Sequence, residues 1–426
     1  MNEEEDTRLR EFRQLKKEIR GSREYLIVGI DIAKEKHHAF MGTTFGKTLL
    51  KRLIFENTLE GFRKLLIQVE AVQAKYGLEK VAYGMEPTAN YHKPLGEFLI
   101  RKGATVVLVS GVAVKRNREL LDGRWDKHDD KDSANVADLI SQGKCLFYEY
   151  PDSRLRELRS LLALKRKLKK QEHGYRVRIR NQLVAQYFPE LDRYSGRPEM
   201  EGIVRWCLNP VEIAESGKDQ FIKLVAPGRK TLAQQRRLQT IQEMAGDSIG
   251  CEMGEGVKIE AEVMIEGIRH VREAIKTTEA KIEELCKGFP EYACLLSIPG
   301  FGPDVSAKVL GALGNPHRFL NRKQVLKTAG LDLSADRSGK GSQNAVPIIS
   351  KQGKADLRYA LYQAALIAST RNLIFMQRYT QQLQGREKEP GIKTKRWVKL
   401  SARLLVIAWT LMKKQELFDP GYINQE

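Results

Sequence analysis

Cysteine is scarce in this sequence and forms no pattern. Five cysteines in 426 residues, at positions 145, 207, 251, 286 and 294, are odd in number, widely spaced and without a CxxC pair. A zinc ribbon or a disulfide framework is therefore not expected, and the thiols read as buried or idle. Long hydrophobic runs are missing as well. No window approaches the roughly 18 uninterrupted apolar residues of a membrane span, and the opening residues are acidic and polar, so neither a span nor a signal peptide is expected. The chain reads as cytoplasmic. No GxxxxGK[ST] segment is present, so nothing points to ATP-driven chemistry. Acidic residues are outnumbered: 54 Asp and Glu stand against 73 Lys and Arg, a formal net charge of +19. That excess is beyond what solubility requires and points to a polyanionic partner, nucleic acid before a membrane surface. Hydrophobic content of 42% and charged content of 30% are ordinary, enough for two or three domains with real cores.

Against this background one stretch stands out. Tyr25 to Asp31, YLIVGID, is an unbroken apolar run of strand length closing on a glycine and a carboxylate. It predicts a strand buried on both faces whose last residue emerges at a sheet edge. Strands around His38–Met41 and Leu49–Phe55 follow after short connections, which predicts an antiparallel meander. Asn57 or Thr58 opens a helix with Phe62, Leu65, Leu66, Val69 and Val72 on one stripe, closed by Gly77. A second apolar strand, VAYGME, ends at Glu86; a helix from about Tyr91 to Arg101, the strand ATVVLVS and further helix come next. This order predicts a ribonuclease-H-like (RuvC-like) α/β domain over residues 25–150, preceded by a short helical extension over 1–24 with Leu9, Phe12, Leu15 and Ile19 at helical spacing.

The placing of acids matters more than their number. Asp129 and Asp132 share one helix face at i and i+3, while Asp31 and Glu86 project from strand ends. All four can converge on Mg²⁺, which takes hard oxygen ligands. Two such ions hold the attacking and leaving oxygens of an in-line phosphoryl displacement. The competing reading is a solvated acidic face, since Asp122, Asp126, Asp130 and Asp138 lie nearby.

Residues 151–290 read as a basic helix and a coiled-coil region. Arg154 to Arg180 holds eleven Lys or Arg against two Glu, with a leucine seam from Leu155 to Leu168. Lys165, Arg166, Lys169 and Lys170 are its candidates for phosphate-backbone contact; a merely solvated face is the alternative. Residues 189–256 carry no interpretable motif. From Val257 to Leu285, apolar residues alternate four- and three-residue steps, which predicts a coiled-coil seam, paired with the basic helix of the same chain, between protomers of a dimer or tetramer, or both. Residues 291–426 read as a helical domain. Gly300 and Gly302 in IPGFGP predict a helix-hairpin-helix whose backbone N–H groups approach phosphate. A polar loop with Ser334, Ser338 and Ser342 follows, then a helix with Lys351, Lys354 and Arg358 facing outward.

Taken together, GIDIAK, GMEPTANYH, KHDDKDSA, IPGFGP, FLNRKQVLKTAGL and ISKQGKADLR resemble, in order and spacing, the DEDD-type insertion-sequence transposases, relatives of the Piv/MooV DNA invertases. The resemblance covers about residues 25–145 and 295–370. Two positions depart from the family pattern: Ser133 replaces the usual alanine and Leu333 the usual proline. The resemblance implies a Mg²⁺-dependent DNA recombinase with Asp31, Glu86, Asp129 and Asp132 as metal ligands and a serine nucleophile, which falls on Ser338; beside it Arg337, by its own chemistry, is a candidate phosphate contact. It also implies DNA as donor and target and, in some members, a structured bridge RNA as guide. The acids and Ser338 lie more than 200 residues apart, so the site is expected to be composite. Two alternatives stand: a RuvC-like junction resolvase or nuclease that uses a metal-bound water, and a non-enzymatic nucleic-acid-binding protein.

Overall fold

The computed structural model describes residues 17–122, 129–148, 152–228, 231–334 and 348–423, with the backbone alone at 119–122, 129, 130, 147, 334, 422 and 423. The chain divides into two compact units, Met1–Asp152 and Ser153–Glu426.

The first unit is built on the predicted central strand. β1 (Tyr25–Asp31) is buried along nearly its whole length because each face is covered. Leu26, Val28 and Ile30 enter one core with the apolar stripe of α1 (Leu59–Tyr76), and Tyr25 and Ile27 enter a second. This is the two-sided burial that turns an alternating strand into a continuous apolar run. β2 (Lys36–Thr43) and β3 (Thr48–Glu56) continue antiparallel from β1. β4 (Lys80–Met85) and β5 (Thr105–Leu108) add in parallel on its other side. β6 (Leu146–Phe147) closes the far edge antiparallel to β5, giving among the described residues the order β3-β2-β1-β4-β5-β6. A meander continued by parallel strands is consistent with the ribonuclease-H-like arrangement.

Local signals explain the connecting helices. Thr58 caps α1 by accepting from the Gly61 N–H, and Gly77 ends it with φ of 64°. α2 (His92–Arg101) joins β4 to β5, and α3 (Gly111–Asp122) and α4 (Asp129–Ser141) follow β5. Most of the expected N-terminal helix lies outside the described residues; Ile19 is fully buried in the second core.

Among the described residues the second unit is helical apart from the short pair β7 (Leu333–Ser334) and β8 (Ile348–Ile349). α5 (Ser153–Arg178) runs into a π-helical turn, Ile179–Val184. α6 (Pro198–Trp206), two short helices and α7 (Leu232–Ala245) bury Phe188, Ile203, Phe221, Leu238 and Ile241 in one core with Ile179, Ala261, Met264 and Ile268, so the motif-free stretch is a packed helical layer. α8 (Glu255–Lys287) lies antiparallel along α5: Lys165 meets Glu279, Glu172 meets Arg272, and Gly267 makes room for the Tyr175 ring. Ala261, Met264, Ile268, Val271, Ile275, Thr278 and Ile282 are buried, so the seven-residue stripe is covered within one chain. Pairing within the chain is one of the arrangements that the spacing allowed.

α9 (Pro290–Leu296) and α10 (Pro303–Leu313) flank the IPGFGP turn. α11 (Arg322–Ala329), α12 (Ala355–Arg371), α13 (Leu373–Leu383) and α14 (Ile392–Lys414) complete the largest core. Small residues on α12, Ala360, Ala364 and Ala368, let the turn approach closely.

Candidate active site

β1 and β4 end alike, on glycine, an apolar residue and an acid: Gly29-Ile30-Asp31 and Gly84-Met85-Glu86. In the parallel ladder Gly29 is level with Gly84 and Ile30 with Met85. Asp31 and Glu86 therefore come next, side by side on strands about 4.8 Å apart. Alternation along the strands puts both acids on the face that carries Ile27, Ala82 and α4.

α4 lies directly on the two glycines. A methyl group on Gly29 would sit 2.2 Å from the Ser133 carbonyl oxygen and 2.5 Å from the Ala137 nitrogen. One on Gly84 would sit 2.1 Å from Ile140 Cδ1. The absent side chains thus set how close the helix comes, and the acids emerge two residues past this contact. Asp132 immediately precedes Ser133, so the same contact anchors its turn of α4 on β1. The helix begins at Asp129, whose side chain lies outside the described residues.

Two further contacts position the carboxylates. Glu86 rests against Gly111 at the start of α3, where an added Cβ would be 2.6 Å from its Oε1; a helix N-terminus favours negative charge. Asp132 is 4% exposed, and its Oδ1 lies 2.7 Å from Arg118 Nη2 on α3. α3 and α4 are tied by a buried amide network: Asn117 Nδ2 donates to Asn135 Oδ1 at 2.7 Å and to Asp138 Oδ2 at 2.8 Å, and Asn135 Nδ2 donates to the Val114 carbonyl at 2.7 Å. The turn after Asp31 is held by the Ala33 N–H, which donates to His37 Nδ1 at 3.2 Å. Burial pushes the His37 imidazole below its ordinary pKa, and the neutral ring is the form that accepts this bond.

Sequence reasoning placed Asp31 and Glu86 at strand ends but missed Arg118, which carries no periodic signal in KRNREL. It also missed the paired glycines, although the shared glycine–apolar–acid ending was a readable sign. Among the described residues no three His, Cys, Asp or Glu side chains gather as a metal-binding group. The ladder sets Asp31 and Glu86 each one residue past the Ile30–Met85 pair, and Asp132 lies against Arg118.

In the second unit, Lys165 departs from the exposed phosphate-binding role. It is buried, with its ammonium held by Asp304 and by Glu279 at 2.8 Å. Burial lowers its pKa, but those bonds outweigh burial and leave it raised. Arg166 pairs with Asp356 at 3.0 Å near the surface, while Lys169 and Lys170 are exposed. Gly300, at φ of 88°, makes room for α12: an added Cβ would meet the Ala364 carbonyl at 2.4 Å. An added Cβ on Gly302 meets nothing within 4 Å, and this glycine caps α10. Lys351 is exposed in a left-handed conformation, φ of 55°, with its N–H on the Gly330 carbonyl. Arg337 and Ser338 lie outside the described residues.

Comparison with known proteins gives the arrangement its context. Residues 28–189 match the DEDD transposase model of the IS110 type, and residues 292–380 match that of the transposase IS116/IS110/IS902 family. The chain belongs to the IS110 family of DEDD transposases. An uncharacterized 43.6 kDa protein of insertion element IS110 from Streptomyces coelicolor is 26% identical over 321 residues, 74% of this chain and 77% of that protein. Pilin gene-inverting proteins of Moraxella bovis and Moraxella lacunata are 26% and 25% identical over 158 residues, 36% of this chain and 48% of each of theirs. The chain thus spans about half the length of the pilin gene-inverting proteins. As a transposase it is an enzyme that cleaves and joins DNA, and the DEDD-type fold implies a divalent metal. The carboxylate oxygens of Asp31 and Glu86 fit such an ion, a hard cation that prefers oxygen ligands.

Proposed function

We propose that this transposase cuts and exchanges the DNA strands of an insertion sequence in a Mg²⁺-dependent reaction, through a phosphoserine link formed by Ser338, with a structured RNA as guide and a homo-oligomer as the working form. The observation that carries the reading is the pair Asp31 and Glu86, level on adjacent parallel strands with α4 seated on Gly29 and Gly84. Asp31, Glu86, Asp129 and Asp132 would hold the metal, which when bound supplies charge stabilisation at the scissile phosphate. Gly111 leaves space for the Glu86 carboxylate, and the Asn117–Asn135–Asp138 network keeps α4 in place. Attack of Ser338 Oγ on phosphorus forms one P–O ester and breaks another. The released deoxyribose oxygen takes a proton to replace the one that the serine gives up. One phosphodiester is exchanged for another, so rejoining needs no ATP.

The test is a suicide DNA substrate incubated with the enzyme and Mg²⁺, followed by proteolysis and mass spectrometry. A nucleotide remnant on the Ser338 peptide is expected. Ser338→Ala should bind DNA yet give no adduct, whereas Ser334→Ala and Ser342→Ala should retain it. An adduct on either neighbour, or cleavage with no adduct on any serine, removes the phosphoserine mechanism and favours a metal-bound water as nucleophile.

A further inference from the structure

Two sequence motifs that the catalytic reading leaves unused meet in the fold. KTAGL ends α11 and leads into β7, and ISKQGKADLR leads from β8 into α12. The stretch that holds Ser338, residues 335–347, runs between these two strands. At its root the strands pair only through Leu333 with Ile349 and Ser334 with Ile348, and Leu333 and Ile348 are 68% and 67% exposed. So short and exposed a pair is too weak to fix the chain by itself.

An interlock just behind the strands does fix it. The Ser350 N–H donates to the Asp332 carbonyl at 2.8 Å, and the Ser350 hydroxyl donates to Asp332 Oδ1 at 2.5 Å. The Lys351 N–H donates to the Gly330 carbonyl at 3.0 Å and the Lys354 N–H to the Thr328 carbonyl at 2.8 Å. Arg358, half-buried on α12, directs Nη1 to the carbonyls of Ala329 at 2.8 Å and Lys351 at 3.3 Å, one from each segment. The two backbones touch: an added Cβ would stand 2.7 Å from the Lys351 carbonyl carbon if built on Gly330, and 2.3 Å from the Gly330 nitrogen if built on Gly353. Lys351 is held at φ of 55°, a left-handed conformation that a lysine keeps only where its surroundings over-determine it. Strain of that kind gathers at functional sites.

We propose that this interlock presents the nucleophile: Asp332, Ser350 and Arg358 are positioning residues that fix both ends of the segment bearing Ser338, so that its hydroxyl meets the scissile phosphate. The proposal rests on Ser338 being the nucleophile and adds the residues that aim it. A misplacement of about 1 Å can cost about 100-fold in rate, because the reacting atoms must already be aligned. Affinity, by contrast, is set by many phosphate contacts spread over the protein. Loosening the interlock should therefore slow the chemical step and leave DNA binding intact.

The test follows the rate of Ser338 adduct formation in the full-length chain, with Mg²⁺ and a saturating suicide duplex. Duplex affinity, melting temperature and hydrogen exchange at the Ser350 and Lys351 amides are measured beside it. Arg358→Lys keeps the charge but loses the planar group that reaches both carbonyls. It should form the adduct about 10- to 100-fold more slowly, with affinity within about twofold of wild type and faster exchange at both amides. Asp332→Ala should slow the adduct in the same way, and Ser350→Ala added to it should change little further, since both remove one bond. Asp332→Asn, whose Oδ1 still accepts from the Ser350 hydroxyl, should restore most of the rate. Wild-type adduct rates in Arg358→Lys and Asp332→Ala would overturn the proposal. So would slowing that tracks weaker binding or loss of folded protein in every variant, or an Asp332→Asn as slow as Asp332→Ala. A wild type that cleaves with no adduct on Ser338 would instead remove the serine reading itself, before any variant is compared.

Discussion

Gly29→Ala tests how the candidate active site is assembled, because the predicted damage arises from one methyl group. Its Cβ would stand 2.2 Å from the Ser133 carbonyl oxygen, a shortfall of about 1.2 Å against an ordinary contact of 3.4 Å, with Ala137 N at 2.5 Å and Ala137 Cβ at 2.8 Å. The two nearest of these are backbone atoms, so no rotamer change relieves the clash, and α4 must lift as a body. Overpacking of this kind costs about 1–3 kcal/mol. A displacement near 1 Å would also carry Asp132 and the start of α4 away from Asp31 and Glu86, which can cost about 100-fold in rate. Gly84→Ala is the matched control. Its clash is with Ile140 Cδ1, the tip of a side chain, so an off-rotamer cost of about 1 kcal/mol is expected, and Ile140→Val should recover most of it. The assay combines urea midpoints, hydrogen exchange at the Ala137 amide and Mg²⁺-dependent cleavage of a duplex substrate. Wild-type midpoint and cleavage rate in Gly29→Ala, or greater damage from Gly84→Ala than from Gly29→Ala, would refute the reasoning.

The remaining expectations concern charge. Asp31→Asn, Glu86→Gln and Asp129→Asn should each abolish DNA cleavage with melting temperatures unchanged. Asp132→Asn should lose activity and, by leaving Arg118 without its charged partner, about 1–3 kcal/mol of stability as well; full activity in any of these variants removes that residue from the site. On α5, the triple variant Arg166→Gln, Lys169→Gln and Lys170→Gln should reduce the salt slope of DNA binding by up to about 0.9 per contact without loss of fold. Lys165→Gln should do the reverse, since its ammonium bridges Glu279 and Asp304 inside the unit; equal slope changes would contradict that division. His37 and His92 both have pKa values lowered chiefly by burial. The unfolded chain takes up these protons near pH 6.5 while the folded chain resists, so stability held above about pH 6.5 is lost as pH falls toward the folded values. Urea midpoints of the first unit should therefore drop on acidification, and His37→Gln should flatten the dependence; a midpoint that rises toward low pH would refute it.

Much of the fold was legible because local chemistry leaves local marks. Two-sided burial made Tyr25–Asp31 continuously apolar, the Thr58 cap and Gly77 bounded α1, and the order of strands and helices indicated the sheet. The acids at strand ends, and the motifs that place the chain among the DEDD transposases, are readable for the same reason: each occupies a short contiguous segment. Tertiary structure alone decided who meets whom. The stripe from Val257 to Leu285 recorded an apolar helix face, yet only the fold showed what covers it: the helices around Ile203, Phe221 and Leu238 pack on its first turns, and Leu155 and Leu158 of α5 share a core with Ile282. Lys165 looked like its basic neighbours until Asp304, 139 residues away, was brought beside it. Gly300 looked like a phosphate-binding glycine until Ala364 was found against it. Gly29 and Gly84 acquire meaning only when the ladder sets them level under α4. Periodicity encodes which surface is apolar or charged; what neutralises or covers that surface depends on contacts between distant residues, and these exist only in the folded chain.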